Sequence, residues 1–264
     1  MFGSLPPGPG YDAHMANGID HLVIAVADPD AAAAELTERV GLAFTAGGRH
    51  AGLGTINRIA FLGDGYLELM GVDDPGQAAG WPMGAAALQA LEHGGGFATF
   101  ALADDAIRIT VPSLQANGSR IGPVVHGSRE RPDGERVEWW SAAPPQLGPD
   151  RPPFLIKHLE AGAEWGTDAL AARRAFVHPI GSPVRLVRLE IAVPDPLGLA
   201  AEYFQLLGVE FLTVGTVAVC TIGPHVVRLL PGAGPDPVVR VMVHAEIAAP
   251  RAVTLLGVSL AIEP

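Results

Sequence analysis

The chain of 264 residues is 48% hydrophobic and 17% charged, with 33 Gly and 24 Pro, which describes a folded protein rather than a disordered acidic chain or a disulfide scaffold. Asp and Glu number 28 against 17 Lys and Arg, and the resulting formal charge of -11 argues against nucleic acid and anionic membrane surfaces as partners. Cys220 stands alone, excluding an internal disulfide and a Cys-based zinc site and predicting a reducing, cytoplasmic setting; the longest apolar run, Leu22 to Ala27, falls far short of the roughly 20 residues of a spanning helix.

Residues 1–16 are rich in Gly and Pro without an apolar signal core, and read as a disordered leader or tag remnant. From Ile19 to Ala27 an apolar strand pattern runs into the turn pair Asp28-Pro29, an Ala-rich helical pattern to Val40, and Gly41 as a stop. Three strands are predicted next, over Leu42 to Thr45, Thr55 to Leu62 and Tyr66 to Gly71, separated by Gly-rich turns. The unit reads βαβββ. Asp73 to Gly96 reads as a connector with a short helix over Ala85 to Leu91.

The same order returns with Phe97 to Leu102 as a strand, Ile107 to Ala116 as a helix despite Pro112, and strands over Arg136 to Ser141 and Phe154 to His158. Ser128 to Asp133 and Ala142 to Pro153 read as polar, Pro-rich connections, and Ala161 to Ser182 as a second connector with a helix over Asp168 to Ala175. A third copy opens at Val187 to Val193, continues through a helix over Leu197 to Leu207, and ends near His225 to Leu230. Val238 to His244 and Val258 to Ile262, with only a stub between them, read as a truncated fourth. The expected fold is α+β, built of repeated βαβββ modules in curved mixed sheets. Two modules form residues 17–160, a connector follows over 161–183, and a degenerate third module plus a truncated fourth fill 184–264. A pair of such modules makes a sheet of about eight strands with a concave pocket.

His21 and Glu68 are polar residues set inside otherwise apolar strands, and an unpaired buried carboxylate costs several kcal/mol on the order given for such groups. Converging from neighbouring strands, they would supply half of a 2-His-1-carboxylate site for Fe, Mn, Ni or Zn; read blandly, they are a buried hydrogen bond tying two strands.

Ile19-Asp20-His21-Leu22-Val23, the run Gly47 to Arg58, Tyr66-Leu67-Glu68-Leu69, Arg129 to Gly134 and Pro152 to Ile156 together resemble the vicinal oxygen chelate superfamily. More narrowly, they resemble its bacterial glyoxalase-like proteins, with a fold shared by bleomycin-resistance proteins and dioxygenases. The resemblance implies a metal or polar substrate site on the concave face, with ligands from the first and last strands of each unit. The activities it implies range over isomerisation, ring-cleaving dioxygenation, epoxide opening and drug sequestration. This sequence departs from the full ligand pattern: the first-strand position of the second unit falls on Phe97 or Ala98, and of Lys157 and His158 in its last strand only His158 could complete a triad with His21 and Glu68. In the third unit Arg188 and Arg228 stand at the two ligand positions, which excludes a metal there and favours internal ion pairs with Glu190.

The loop Gly47 to Arg58 brings Arg49, His50 and Asn57 as donors, with Arg49 and Asn57 as candidate substrate contacts and His50, beside Glu68, as a candidate base; its alternative is a Gly-rich turn. Arg129 or Arg131 could grip an anionic substrate or pair with Glu130 and Asp133, and one of Trp139 and Trp140 should face the pocket, Trp139 being the candidate substrate contact. Phosphate-binding, dinucleotide and Gly-x-Ser-x-Gly signatures are absent, and nothing near Lys157, the only lysine, indicates a Schiff base. The expected function is a divalent-metal enzyme of lyase, isomerase or dioxygenase type acting on a small oxygenated molecule. The alternative is a metal-free protein that sequesters a small molecule. Unpaired module edges make homodimerisation a third expectation.

Overall fold

The structure is a computed structural model and describes residues 16–264 apart from Pro235; the leader expected over residues 1–16 lies outside the described residues save for Ala16. The first repeat consists of β1 (Gly18–Ala25), α1 (Pro29–Val40), β2 (Gly48–His50), β3 (Thr55–Leu62) and β4 (Gly65–Val72). The helices α2 (Pro75–Ala78) and α3 (Pro82–Glu92) lead to β5 (Gly96–Ala103), α4 (Ile107–Ala116), β6 (Val125–Glu130), β7 (Arg136–Ala142) and β8 (Phe154–His158). After α5 (Gly162–Trp165) and α6 (Thr167–Arg174) come β9 (Val184–Val193), α7 (Pro196–Leu207), β10 (Leu212–Val214), β11 (Val217–Ile222) and β12 (His225–Pro231). The chain ends with β13 (Val238–Ala245), β14 (Arg251–Leu255) and β15 (Val258–Glu263).

Helix starts and stops follow local chemistry. Asp28 caps α1 by accepting from the Asp30 and Ala31 amides with Pro29 in the first turn, and Gly41 ends the helix in the left-handed region at φ 75°. Asp195, Pro196 and Gly208 repeat the device around α7. The sequence repeat is therefore also a repeat of caps.

Each of the first two modules orders its strands with the first beside the last, and the two join twice: β1 pairs antiparallel with β5, and β2 with β6. The sheet expected as an open concavity thus closes into a barrel in the order β1-β4-β3-β2-β6-β7-β8-β5. Closure depends on two short strands that replace sequence expectations. Leu42 to Thr45 is not a strand; Thr45 donates one backbone bond to Ile59, and the chain turns at Gly47, whose φ is 66° and where a Cβ would stand 1.7 Å from the Asn57 carbonyl oxygen. Pairing starts only at Gly48. Likewise Val125 to Glu130, part of which read as a polar connection, is a strand of mixed exposure that supplies the second seam.

The third repeat and the tail form a seven-stranded sheet, β10-β11-β12-β9-β13-β15-β14. Here β13 lies antiparallel to β9 and parallel to β15, as β5 lies to β1 and β8, so the tail repeats the strand pairing of the second repeat with no helix between β13 and β14. The stub expected before Val258 is the strand β14; its alternation of exposed and buried residues over five positions is too short to stand out in sequence.

Two apolar cores result. One fills the space between the outer face of the barrel, α1, α4, α7 and the second sheet, and holds Leu22, Ile24, Leu36, Phe100, Ile191, Tyr203 and Val241. The other lies inside the barrel and includes Val23, Ala25, Met70, Ala98, Ala101, Trp139 and Phe154. The strand β1 separates them and is buried on both faces, which is why its sequence is a nearly continuous apolar run. Among the described residues no helix is long and apolar enough to cross a membrane.

Candidate functional site

The barrel interior opens into a cavity of about 310 Å³, within the range of small-molecule sites. His21 on β1, His50 on β2, Asn57 on β3, Tyr66 and Glu68 on β4, Arg129 on β6, Trp139 on β7 and His158 on β8 all line it. So do Trp81, Met83, Glu164 and Trp165, which come from stretches that read as connectors. These four carried no strand pattern, and only the packing of α3 and α5 against the barrel reveals them.

Glu68 sits in the middle of a polar cluster. Its Oε1 accepts from Asn57 Nδ2 at 2.6 Å and lies 3.8 Å from His50 Nε2, while Oε2 lies 3.6 Å from His21 Nε2. Both imidazoles are held from behind: His21 Nδ1 is 2.6 Å from Asp20 Oδ1, and His50 Nδ1 is 2.7 Å from Thr55 Oγ1. His21 also stacks on Tyr66, with ring centroids 4.5 Å apart. The Nε2 of His21 is buried with no hydrogen-bond partner among the described residues.

Asp20 was not singled out in the sequence, because strand alternation sends it to the face opposite His21. A break in the β1–β5 register between Ile19 and His21 overrides alternation there, and both side chains end up in contact. Burial alone would raise the Asp20 pKa, but His158 and His21 more than offset it and hold the carboxyl well below the usual carboxylate range. An ionised Asp20 can only accept, so His21 Nδ1 and His158 Nε2, at 2.6 and 3.2 Å, carry the protons. Burial pushes His158 down as well, leaving it neutral with a lone pair on Nδ1, an atom buried without a partner among the described residues. Burial likewise pushes His50 down to about 4 against the pull of Glu68, and raises Tyr66 well above the usual phenol range.

This geometry rearranges the triad read from sequence. Asp20, His21 and His158 offer donor atoms all within 4.8 Å of one another, a grouping that leaves Glu68 out. Glu68 and His158 stand at opposite edges of the His21 ring, one at Nε2 and the other behind Asp20 at Nδ1, so these three do not share a point. The facing atoms of the Asp20 grouping are occupied by hydrogen bonds to each other, so it is a brace behind His21. On the other edge, two imidazole Nε2 atoms face the two oxygens of one carboxylate, each group fixed from behind by Asp20, Thr55 or Asn57. Two nitrogen donors and a carboxylate with such supports are the donor types that suit Fe, Mn, Ni or Zn, although the three are more widely spread than the Asp20, His21 and His158 grouping, the one set among the described residues whose donor atoms all lie within 4.8 Å of one another.

The remaining candidates separate cleanly. Arg49 points outward, two-thirds exposed and paired with Asp73, because its neighbour His50 takes the inward side of β2. It does not reach the cavity. Trp139 is the member of its pair that lines the cavity, whereas Trp140 packs on the outer core under Arg108. Arg129 is buried and pairs with Glu164 rather than Glu130; Arg131 bonds Asp133 and Glu164 at 2.8 and 2.7 Å. Lys157 is paired with Asp105 at 2.7 Å. The inward face of β5 presents Ala98 and Ala101, so the second module brings no metal donor from its first strand. In the second sheet, Glu190 Oε1 accepts from Arg228 at 2.9 Å and lies 3.0 Å from Arg188 Nε, the internal ion pairs expected from sequence.

Comparison with known proteins agrees with this architecture. A family model described as a glyoxalase-like domain matches residues 19–207. A hypothetical protein from Staphylococcus aureus superposes with a TM-score of 0.75 at 15% identity, over 93% of this chain and 98% of that one. A xylose isomerase-like TIM barrel/4-hydroxyphenylpyruvate dioxygenase fusion protein superposes with a TM-score of 0.51 at 13% identity, over 92% of this chain and 40% of that one. A methylmalonyl-CoA epimerase from Mycobacterium tuberculosis gives a TM-score of 0.41 at 16% identity over 58% of this chain and 95% of that one. No curated protein sequence matches the chain.

Proposed function

The chain belongs to the glyoxalase-like domain family, and we propose that it is a divalent-metal enzyme acting on a small oxygenated molecule inside the closed barrel. The fold admits many chemistries, so the reading rests on the site. The observation that carries it is the buried, unpartnered Nε2 of His21 standing 3.6 Å from Glu68, with His50 on the carboxylate's other side. His21, His50 and Glu68 would hold the ion. When bound there, it would polarise a substrate oxygen.

The chain's own residues supply the rest. Asp20 and Thr55 fix both imidazoles with Nε2 toward Glu68, and Asn57 fixes the carboxylate. His158 Nδ1 is the proton-accepting atom, kept neutral by burial and oriented through Nε2 by Asp20. Trp81, Trp139 and Trp165 wall the cavity.

Metal analysis of protein purified without chelator tests this. One equivalent or near it of Fe, Mn, Ni or Zn is expected, lost in His21→Ala, His50→Ala and Glu68→Ala and kept in His158→Gln. A metal-free protein, or retention of metal in Glu68→Ala, overturns the reading. A second reading, a sequestering protein without metal, draws on the hydrogen bond that already satisfies one Glu68 oxygen and on the aromatic lining. It predicts small-molecule binding indifferent to chelator.

A further inference from the structure

Arg129 is an unusual wall residue. Its side chain is 3% exposed and lines the cavity beside Glu164, to which Nη2 donates, but Nη1 is buried with no partner among the described residues. Glu164 does not neutralise it fully, because the same carboxylate also accepts from Arg131 at 2.7 Å. A second buried guanidinium, Arg173, adds to the imbalance: it donates to the backbone carbonyls of Glu164 and Asp64 and lies over Trp165 and Phe61. Gly48 lies against Arg129 across the β2–β6 seam, where a Cβ would stand 2.4 Å from the Glu130 carbonyl oxygen and 2.8 Å from Arg129 Cγ, so the close strand approach and the Arg129 stem both leave no room for a side chain. A buried guanidinium with a spare donor is the group that recognises a carboxylate.

The surroundings specify the remainder of the ligand. Trp81 and Trp139 present their rings edge-on to His50 at 5.9 and 5.8 Å, and Met83, Val137 and Leu147 continue the apolar wall. His50 pairs with Arg129 across the seam, so the Glu68 cluster, the cation and the aromatic wall are neighbours in one cavity.

We propose that Arg129 is the anion anchor of this cavity and that its ligand is a small aromatic monocarboxylate, held by the carboxylate at Nη1 with its flat body among Trp81, Trp139 and Met83. This names a substrate class for the reading given above and rests on the same cavity, but the anchor needs no metal. The test is calorimetric titration of chelator-treated protein with 3-phenylpropanoate and with its amide, 3-phenylpropanamide, which has the same shape without the charge. The acid should bind at least tenfold more tightly than the amide. Arg129→Gln should abolish that preference, Arg129→Lys should keep part of it, and Glu164→Gln, which removes the competing carboxylate, should strengthen acid binding severalfold. A purely structural ion pair predicts instead that both Arg129→Gln and Glu164→Gln weaken binding alike. Equal binding of acid and amide, binding of neither, or a preference that survives Arg129→Gln in folded protein overturns the anchor. Metal analysis separates the two claims: a metal-loaded protein blind to the carboxylate sinks only the anchor, and a metal-free protein that prefers the acid sinks only the metal reading.

Discussion

The barrel and the second sheet are built on one frame and differ in what they enclose. In the barrel His21 pairs with Tyr66 and Glu68 with Val23; in the second sheet Arg188 pairs with Val226 and Arg228 with Glu190, the same two-residue offset between parallel strands. The positions of His21 and Glu68 are thus those of Arg188 and Arg228. In the barrel both side chains are 2% exposed, whereas Arg188 and Arg228 are 31% and 38% exposed. The cause is closure. The seam between β2 and β6 shuts the barrel, whereas β10 and β14 stand at the two ends of the second sheet, which does not close on itself. A repeat makes the frame, and the closed pair of repeats makes a chamber in which His21 and Glu68 are buried far more deeply than Arg188 and Arg228.

The largest way to break this comparison is to open the core that the two regions share. Phe100 is 1% exposed on β5, near Phe97 and against Tyr203 of α7. Phe100→Ala should cost about 3–5 kcal/mol, read as a fall in the urea midpoint followed by circular dichroism. Retention of near-native stability would show that barrel and sheet do not depend on this contact.

Acidity should loosen the same junction. His225 Nδ1 on β12 accepts from the Ile19 amide of β1 at 2.9 Å, and burial pushes this imidazole down to about 4, with Asp64 opposing. A protonated ring cannot accept that bond. Because the folded state binds fewer protons than the unfolded one across this interval, stability is intact above pH 6.5 and is lost as pH falls toward 4, by roughly 3 kcal/mol. His225→Asn should flatten the part of the stability profile between those values; an unchanged slope would assign the loss to other groups.

Within the barrel, Asp20→Asn should weaken metal binding about 10–100-fold without abolishing it, because the brace on His21 is lost while the facing donors stay. Competition against a chromogenic chelator measures it, and unaltered affinity would mean that Asp20 does not orient His21. The smallest effect is expected in the second sheet: Arg188→Ala or Arg228→Ala should change stability by no more than about 1 kcal/mol and leave metal content untouched. The double substitution Arg188→His with Arg228→Glu sharpens the contrast, since it copies the His21 and Glu68 donors, though not His50, onto an open sheet. It should acquire no metal, and acquisition of one would refute closure as the deciding feature.

Much of this molecule was legible in the sequence through its caps and apolar runs. Asp28-Pro29 with Gly41 and Asp195-Pro196 with Gly208 announced two helices of the repeat, and the continuous run of β1 announced a strand buried on both faces. The short strands β2, β6 and β14 left little signal, because three to six residues of mixed exposure carry no clear period. His21 and Glu68 stood out as charged or polar groups within apolar strands, and the structure does bring them to one cavity. Asp20 did not, since a bulge suspends alternation at that residue, and neither did Trp81, which caps the start of α3, nor Glu164 and Trp165 on the short helix α5.

The sequence by itself determined the recurring strand-and-helix order, the boundaries of α1 and α7, the absence of metal donors at Arg188 and Arg228, and which strands carry a buried acid and imidazole. These follow from local periodicity, capping and the rule that buried charge needs a partner. Only the tertiary structure decided that the first pair of repeats closes, that His50 and not His158 shares Glu68 with His21, and that Arg129 faces inward while Arg49 does not. Those outcomes depend on strand register and on residues far apart in the chain meeting across a seam, which no local pattern encodes.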